Sequence, residues 1–320
     1  MYKIKQLILI SVTLPVLFNF AVGKEYEITE NLIPMHDGIQ LAADLYLPSN
    51  YKEGEVYPVL LEYIPYRKDE SRGRNYPLYS YFLDNGYIVA RVDIRGTGRS
   101  EGRVIPNEYS EIELNDGEEV IEWLSAQNWS NGNVGMFGIS WGGFNSIQMA
   151  MRNPPALKAF VAVMATEYLY EEDVHYIDGI MVAGDSWMMS NDLYNSLPGA
   201  PDFTMDEEWY ENRFDVEPSV YKYMRQQRDG PFWDRASAKN KYDLIKIPGY
   251  HIGGWYDGYR NSLPRMIENV SAPVKAMIGP WDHDFPHNAA LKPQVEWRHE
   301  AVRWFDQWLK QVDTGILEEP

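Results

Sequence analysis

Met136-Phe137-Gly138-Ile139-Ser140-Trp141-Gly142-Gly143 is the stretch on which the fold turns. Its apolar first half reads as the end of a buried strand, and its glycines mark where that strand breaks and a helix begins. A serine in a G-x-S-x-G turn takes a strained backbone conformation that only nearly side-chain-free neighbours permit, and Gly138 and Gly142 supply them. The turn lifts the Ser140 hydroxyl clear of a sheet and sets it at a helix N-terminus, where partial positive charge favours a developing anion. Such motifs also arise by chance, so the surroundings decide. Residues 132–139 are short, apolar and glycine-punctuated like a central strand, and residues 144–152 follow at helical length.

Working outward, residues 26–34 and 39–47 alternate apolar and polar around His36-Asp37-Gly38, the pattern of an antiparallel hairpin. Residues 56–64 and 87–94 are apolar runs suited to buried parallel strands, with a helix expected over about 77–85 between them. Residues 115–127 form an amphipathic helix with Val120, Ile121 and Leu124 on its inner face, and residues 157–164 another strand. Over residues 166–240 the alternation stops; the segment is rich in Tyr, Trp, Met and acidic residues at helical spacing, and reads as an inserted helical cap. Strand 247–254, helix 262–270, strand 274–279 and helix 295–312 then resume the rhythm. This order predicts an α/β, doubly wound, mostly parallel sheet, with core segments 24–165 and 241–320 flanking the cap.

Composition narrows the function. The chain has 320 residues and a net charge of −18, a surface that repels phosphate backbones, so nucleic acid is not an expected partner. It contains no cysteine, which removes disulfides, thiolate metal sites and a cysteine nucleophile. Lys3 and Lys5, the apolar run 7–20 and Ala21-Val22-Gly23 together read as a leader over residues 1–23. The run is too short for a comfortable membrane span, and Pro15 interrupts it. Export is therefore expected, with no stable membrane insertion once the leader is cut and a mature chain beginning near Lys24.

A serine hydroxyl becomes a useful nucleophile when a histidine takes its proton and a carboxylate fixes that histidine's tautomer. Two strand ends downstream offer these groups: Gly253-Gly254-Trp255-Tyr256-Asp257 and Gly279-Pro280-Trp281-Asp282-His283. His287 is the alternative base. His251 falls within a strand and reads as a core histidine, and His36, His175 and His299 lack strand-end context. The Asp282-His283-Asp284 cluster with His287 contains Pro286 and lacks the helical framing of a zinc motif, so neither a metal nor any other cofactor is expected. An oxyanion hole needs two donors. The Trp141 N–H supplies one, and Tyr66, in the loop Ile64-Pro65-Tyr66-Arg67-Lys68, is the candidate for the other.

The segments His36 to Pro48, Ile64 to Lys68, Asp93 to Gly102 (D-I-R-G-T-G-R-S-E-G), Gly138 to Gly143, Gly254 to Asp257 and Ile278 to His283 run in one order along the chain. In this it resembles the family that includes cocaine esterase, X-Pro dipeptidyl-peptidase and α-amino-acid ester hydrolase. The resemblance implies an α/β-hydrolase fold with a cap, Ser140, Asp257 and His283 as triad, and Tyr66 O–H with Trp141 N–H as oxyanion hole. It also makes Asp93 to Gly102 a loop bordering the active site rather than a nucleotide loop.

Two departures stand out. Family members that recognise a free α-amino group carry acidic residues soon after the triad aspartate, whereas here Gly258-Tyr259-Arg260 follows. Arg260 would oppose an amine, while Glu167 at the cap entrance keeps amine recognition open. The family also continues into a jelly-roll domain beyond the last helix; against that pattern the chain is expected to be a fragment or truncated product with apolar surface exposed. Tyr168, Trp187 and Trp209 in the cap suggest an apolar or aromatic acyl group. The expected function is an exported serine hydrolase that cleaves acyl esters or amides of a small molecule or peptide through an acyl-enzyme. The alternatives are an X-Pro dipeptidyl-peptidase-like exopeptidase and a catalytically idle binding fragment.

Overall fold

A computed structural model describes residues 26–182 and 194–319 of the protein. The expected leader and Trp187 lie outside the described residues. Eight strands form one sheet: β1 (Glu27–Pro34), β2 (Gln40–Leu47), β3 (Tyr57–Ile64), β4 (Ile88–Asp93), β5 (Ser130–Ile139), β6 (Leu157–Val163), β9 (Gly249–Gly254) and β10 (Val274–Gly279). Two short strands, β7 (Tyr176–Ile177) and β8 (Ile180–Met181), pair separately as a hairpin. In space the large sheet runs β1-β2-β4-β3-β5-β6-β9-β10. β2 pairs antiparallel with both β1 and β4, and every pairing from β4 to β10 is parallel. Strands buried on both faces need near-continuous apolar sequence, and Y-P-V-L-L-E-Y-I of β3 is buried at every position.

Helices cover both faces. α1 (Arg72–Asp84) packs with the final helix (Arg298–Leu309) on one side of the sheet. α2 (Glu111–Ser125) and α3 (Trp141–Arg152) pack together on the other. This is the expected α/β-hydrolase arrangement. The chain passes from β3 through α1 to β4 and then back across β3 to β5, so the winding direction reverses between β3 and β5. At such a switch point the strand ends splay apart and leave a crevice. Ser140 follows β5 and Tyr66 follows β3, which puts both at that crevice.

Some boundaries depart from expectation. α1 begins at Arg72 rather than near 77, so Pro77 lies inside it; the helix continues directly from a 3-10 turn at Lys68–Ser71 instead of starting at the proline. α2 begins at Glu111, a turn before the expected 115, because Ser110 and Glu113 form an S-x-x-E start signal whose glutamate reaches back to the Tyr109 N–H at 2.6 Å. Between β6 and β9 the described residues form only short pieces: α4 (Leu169–Glu172), the β7–β8 hairpin, single turns at Glu207–Trp209 and Tyr210–Phe214, α5 (Val220–Arg225) and a turn at Pro231–Asp234. None of these is a long helix. Their aromatic side chains, not length, hold them together: Trp233 packs with Tyr170, Tyr176 and Tyr223 at centroid distances of 5.3–5.8 Å.

Candidate active site

Ser140 sits at φ 56° and ψ −125°, in the left-handed half of backbone space that a side chain enters only under constraint. The constraint is visible on both sides. Ser140 N donates to Val163 O of β6 at 3.0 Å, and Phe144 N donates to Ser140 O at 2.9 Å as α3 begins. A Cβ at Gly138 would stand 2.7 Å from Gly142 Cα, so the turn closes only because both positions are glycine. Behind the elbow, the buried Glu113 of α2 accepts from Trp141 Nε1 at 2.7 Å and Asn145 Nδ2 at 3.1 Å, besides the Tyr109 N–H. Burial pushes its carboxyl up to about 7.

The acid and the histidine come from adjacent strand ends, as expected. His283 Nδ1 meets Asp257 Oδ2 at 2.5 Å, and Asp257 Oδ1 accepts the Tyr259 N–H at 2.7 Å. With Nδ1 committed to the carboxylate, Nε2 is the ring nitrogen left for chemistry. The two loops are zipped by Trp255 N to Gly279 O at 2.9 Å and Tyr256 N to Trp281 O at 3.1 Å. Gly254 is required there, because a Cβ would lie 2.1 Å from Trp281 O. His287 accepts from Trp297 Nε1 at 2.8 Å, and no hydrogen bond links it to Asp257. His251 is buried in β9 with its ring edge-on to Phe160, and burial lowers it to about 4.

Tyr66 reaches the elbow from β3. Its phenol shares a hydrogen bond with the Ser140 side chain and accepts one from the Trp141 N–H, while burial pushes its pKa up to about 12. It therefore stays protonated at neutral pH and can donate. The loop is pinned by the residues that follow. Lys68 N donates to Asp93 Oδ1 at 2.7 Å, and the buried Lys68 ammonium pairs with Asp44 at 2.8 Å. Arg67 pairs with Glu70 and lies 4.6 Å over the Tyr194 ring.

Ser140, Trp141, Tyr66, Asp257 and His283 all line one cavity of about 330 Å³. Its aromatic wall is Tyr109, Phe144 and Tyr259: Tyr109 stacks on Phe144 at 5.2 Å, and Tyr259 meets both Phe144 and His283 edge-on. Glu108, Glu172 and Asp173 also line it. Glu108 Oε2 is held by His175 Nε2 at 2.8 Å. Asp173 is buried, its Oδ2 has no hydrogen-bond partner among the described residues, and burial together with the Glu108 charge pushes it up to about 7.

Of the expected substrate contacts, the four among the described residues lie outside the lining of this cavity. Glu167 is fully buried and already engaged by Arg265 Nε at 2.6 Å, Tyr242 O–H at 2.9 Å and Ser262, so it has no capacity left for an amine. Tyr168 turns to Asp229 at 2.6 Å under the Lys239 ammonium. Trp209 donates to Ser196 O at 2.8 Å beside a separate polar depression. Arg260 is exposed and reaches back to Asp257 O at 3.3 Å, outside the cavity lining. The cavity wall is instead built by Tyr109, Phe144, Tyr259, Glu108 and Asp173, of which only Tyr259 carries a sequence signal, its place two residues after Asp257.

With this geometry in view, comparison with known proteins is informative. The family model for X-Pro dipeptidyl-peptidase (S15 family) matches residues 37–284. Cocaine esterase of Rhodococcus sp. is 29% identical in an alignment that covers 82% of this chain and 50% of that protein. A putative Xaa-Pro dipeptidyl-peptidase of Bacillus cereus is 24% identical over 85% of this chain and 48% of its own length. Among solved structures, a CocE/NonD family hydrolase from Staphylococcus aureus superposes with a TM-score of 0.70 at 22% identity, over 91% of this chain and 52% of that one. An α-amino acid ester hydrolase gives 0.66 at 22% identity, over 92% and 57%. The chain thus spans about half the length of the relatives it matches.

Proposed function

The chain belongs to the X-Pro dipeptidyl-peptidase (S15) family, and from that premise we propose that it is a serine hydrolase cleaving acyl esters or amides. One observation carries the reading: a serine on a strained elbow shares a 330 Å³ cavity with a histidine–aspartate pair and a protonated tyrosine. Ser140 Oγ attacks the substrate carbonyl while His283 takes its proton. Asp257 holds the resulting imidazolium, and Tyr66 O–H with Trp141 N–H receives the oxyanion once the carbonyl oxygen displaces the contact they share. The leaving group departs with the proton from His283, and water, deprotonated by the same histidine, releases the acid and restores Ser140. No other group is needed for this chemistry.

The test is covalent labelling with a fluorophosphonate, with Ser140→Ala alongside. Stoichiometric labelling that Ser140→Ala abolishes is the expected result. A folded chain that does not label refutes the reading and leaves the idle binding fragment.

The acidic wall favours a narrower reading, a substrate with a free amine on its acyl part. Glu108 and Asp173 put two carboxyl groups into the cavity, and Asp173 Oδ2 has no partner among the described residues, so an ammonium there repays their burial. This is the feature an exopeptidase shares with an amino-acid esterase. Asp173→Asn is expected to lower kcat/KM for an α-amino ester at least tenfold and to leave its N-acetyl counterpart unchanged. Equal effects on both esters would refute the amine reading.

The segment 166–240, which supplies Asp173, acts as a cap over this site in the proposed scheme. Export, the function of the proposed leader, is checked by N-terminal sequencing of secreted protein, which should begin near Lys24.

A further inference from the structure

Three cavities meet around the Tyr66 loop. Besides the first, a groove of about 880 Å³ shares Tyr66, Ser140 and His283 with it and continues past Asn195. A third cavity of about 310 Å³ shares Asn195 with that groove and Trp141 with the first cavity. Pro65, Val104, Ile105, Phe214 and Val216 make its wall largely apolar.

Asn195 stands where that cavity meets the groove. It is 3% exposed, and among the described residues its Nδ2 has no hydrogen-bond partner. Its main chain is fixed on both sides: Gly98 N donates to Asn195 O at 3.2 Å, and Arg67 Nη1 donates to Tyr194 O at 3.4 Å. A buried amide N–H with no acceptor is a standing cost to the folded chain, and the cost disappears when a ligand oxygen arrives.

We infer that Asn195 and the largely apolar cavity beside it form a leaving-group subsite, in which Asn195 Nδ2 donates to a second carbonyl oxygen on the leaving group. This rests on the serine-hydrolase reading. A carbonyl held at Ser140 projects its two substituents to opposite sides. The smaller cavity, with its acids and aromatic wall, suits the acyl side. The leaving group then occupies the larger groove, which also contains His283, the residue that hands it a proton. Peptide amides and hydroxy-amide esters carry the required second carbonyl, and simple alkyl esters do not. The apolar part of the wall takes an aliphatic or aromatic side branch, while Glu108, Arg213 and Glu217 also line the cavity.

The distinction between acylation and deacylation makes the subsite testable. After acylation the leaving group is gone, so an interaction with it affects kcat/KM and not the hydrolysis of the acyl-enzyme. Two esters of one acyl group are compared, with glycolamide and 2-methoxyethanol as leaving alcohols, in the wild-type chain and in Asn195→Leu. The expected result is a fall of about tenfold in kcat/KM for the glycolamide ester, no change for the methoxyethyl ester, and an unchanged deacylation rate.

Asn195→Ala, which removes the same donor without added bulk, should give the same split. Equal losses on both esters, or a slower deacylation, would mean that Asn195 only supports the loop, and would overturn the subsite. Fluorophosphonate labelling separates the two levels. Labelling of both variants at the wild-type rate shows the nucleophile intact, so a missing split then counts against the subsite alone. Absence of labelling in the wild-type chain defeats the hydrolase reading, and the subsite with it.

Discussion

Tyr66 and Trp141 face the same point above Ser140, but they do so by different means. The Trp141 N–H is fixed by the elbow, whereas the Tyr66 hydroxyl is delivered by a side chain whose loop is anchored through Lys68 and Arg67. Tyr66→Phe deletes only the oxygen. It should cut kcat roughly 10²-fold with little change in KM, since the bond matters most when charge develops. Steady-state kinetics on one activated ester decide this, and an unchanged kcat removes Tyr66 from the oxyanion hole. Glu113 supports the same point from behind and leaves a signature in stability. Its carboxyl is raised from 4.5 to about 7 by burial, so between those values the folded chain keeps a proton that the unfolded chain has released. Stability then falls as pH rises through this window, by at most about 1.4 kcal/mol per pH unit for the one group. Glu113→Gln keeps an acceptor for Trp141 and removes the titration. Urea midpoints at pH 5 and pH 7 should lie closer together in the variant than in the wild-type chain, and parallel shifts would contradict the assignment.

At the level of elements, the site depends on how closely two strand-end loops approach. Gly254 terminates β9 against the backbone of Trp281, the residue two before His283. Gly254→Ala places a methyl 2.1 Å from a carbonyl oxygen that belongs to the main chain and cannot swing aside. The loops must part, and the 2.5 Å contact between Asp257 and His283 parts with them. A loss of about 1–3 kcal/mol in stability is expected, with a fall in kcat larger than any change in KM. Thermal melting and kinetics measure both, and wild-type values for either would show that the loops tolerate separation. These elements were legible in the sequence for a physical reason. Strand-end glycines, the elbow serine and the strand rhythm are local, and each records a backbone constraint that few residues satisfy. The walls of the cavity were not legible. Tyr109, Glu108 and Asp173 lie on irregular connections, where only tertiary packing decides which of many acids and aromatics face inward. Glu167 misled because an acid at the cap entrance looks free in one dimension, while Arg265 meets it from almost a hundred residues downstream.

Taken whole, the molecule joins two kinds of order. The sheet runs unbroken through eight strands, and β3, β4 and β6 are buried almost throughout. The described residues between β6 and β9 contribute helices of only four to six residues and a two-residue-per-strand hairpin with Ile180 and Met181 exposed. Helices that short do not persist on their own, so this segment is held by its aromatic contacts and by its seat on the sheet domain. Such regions open at lower free energy than the core they cover. Amide hydrogen exchange should therefore show β3, β5 and β6 protected to the level of global unfolding, and residues 169–177 and 220–234 exchanging through smaller openings. The same segment supplies Asp173 and Val174 to the cavity wall, so occupying the cavity ties it down. Labelling Ser140 with a fluorophosphonate that bears an amine on its chain should slow exchange over residues 169–177 and leave β3 unchanged. Slowing without the amine would assign the effect to apolar contact with Val174, and no slowing at all would detach the segment from the site.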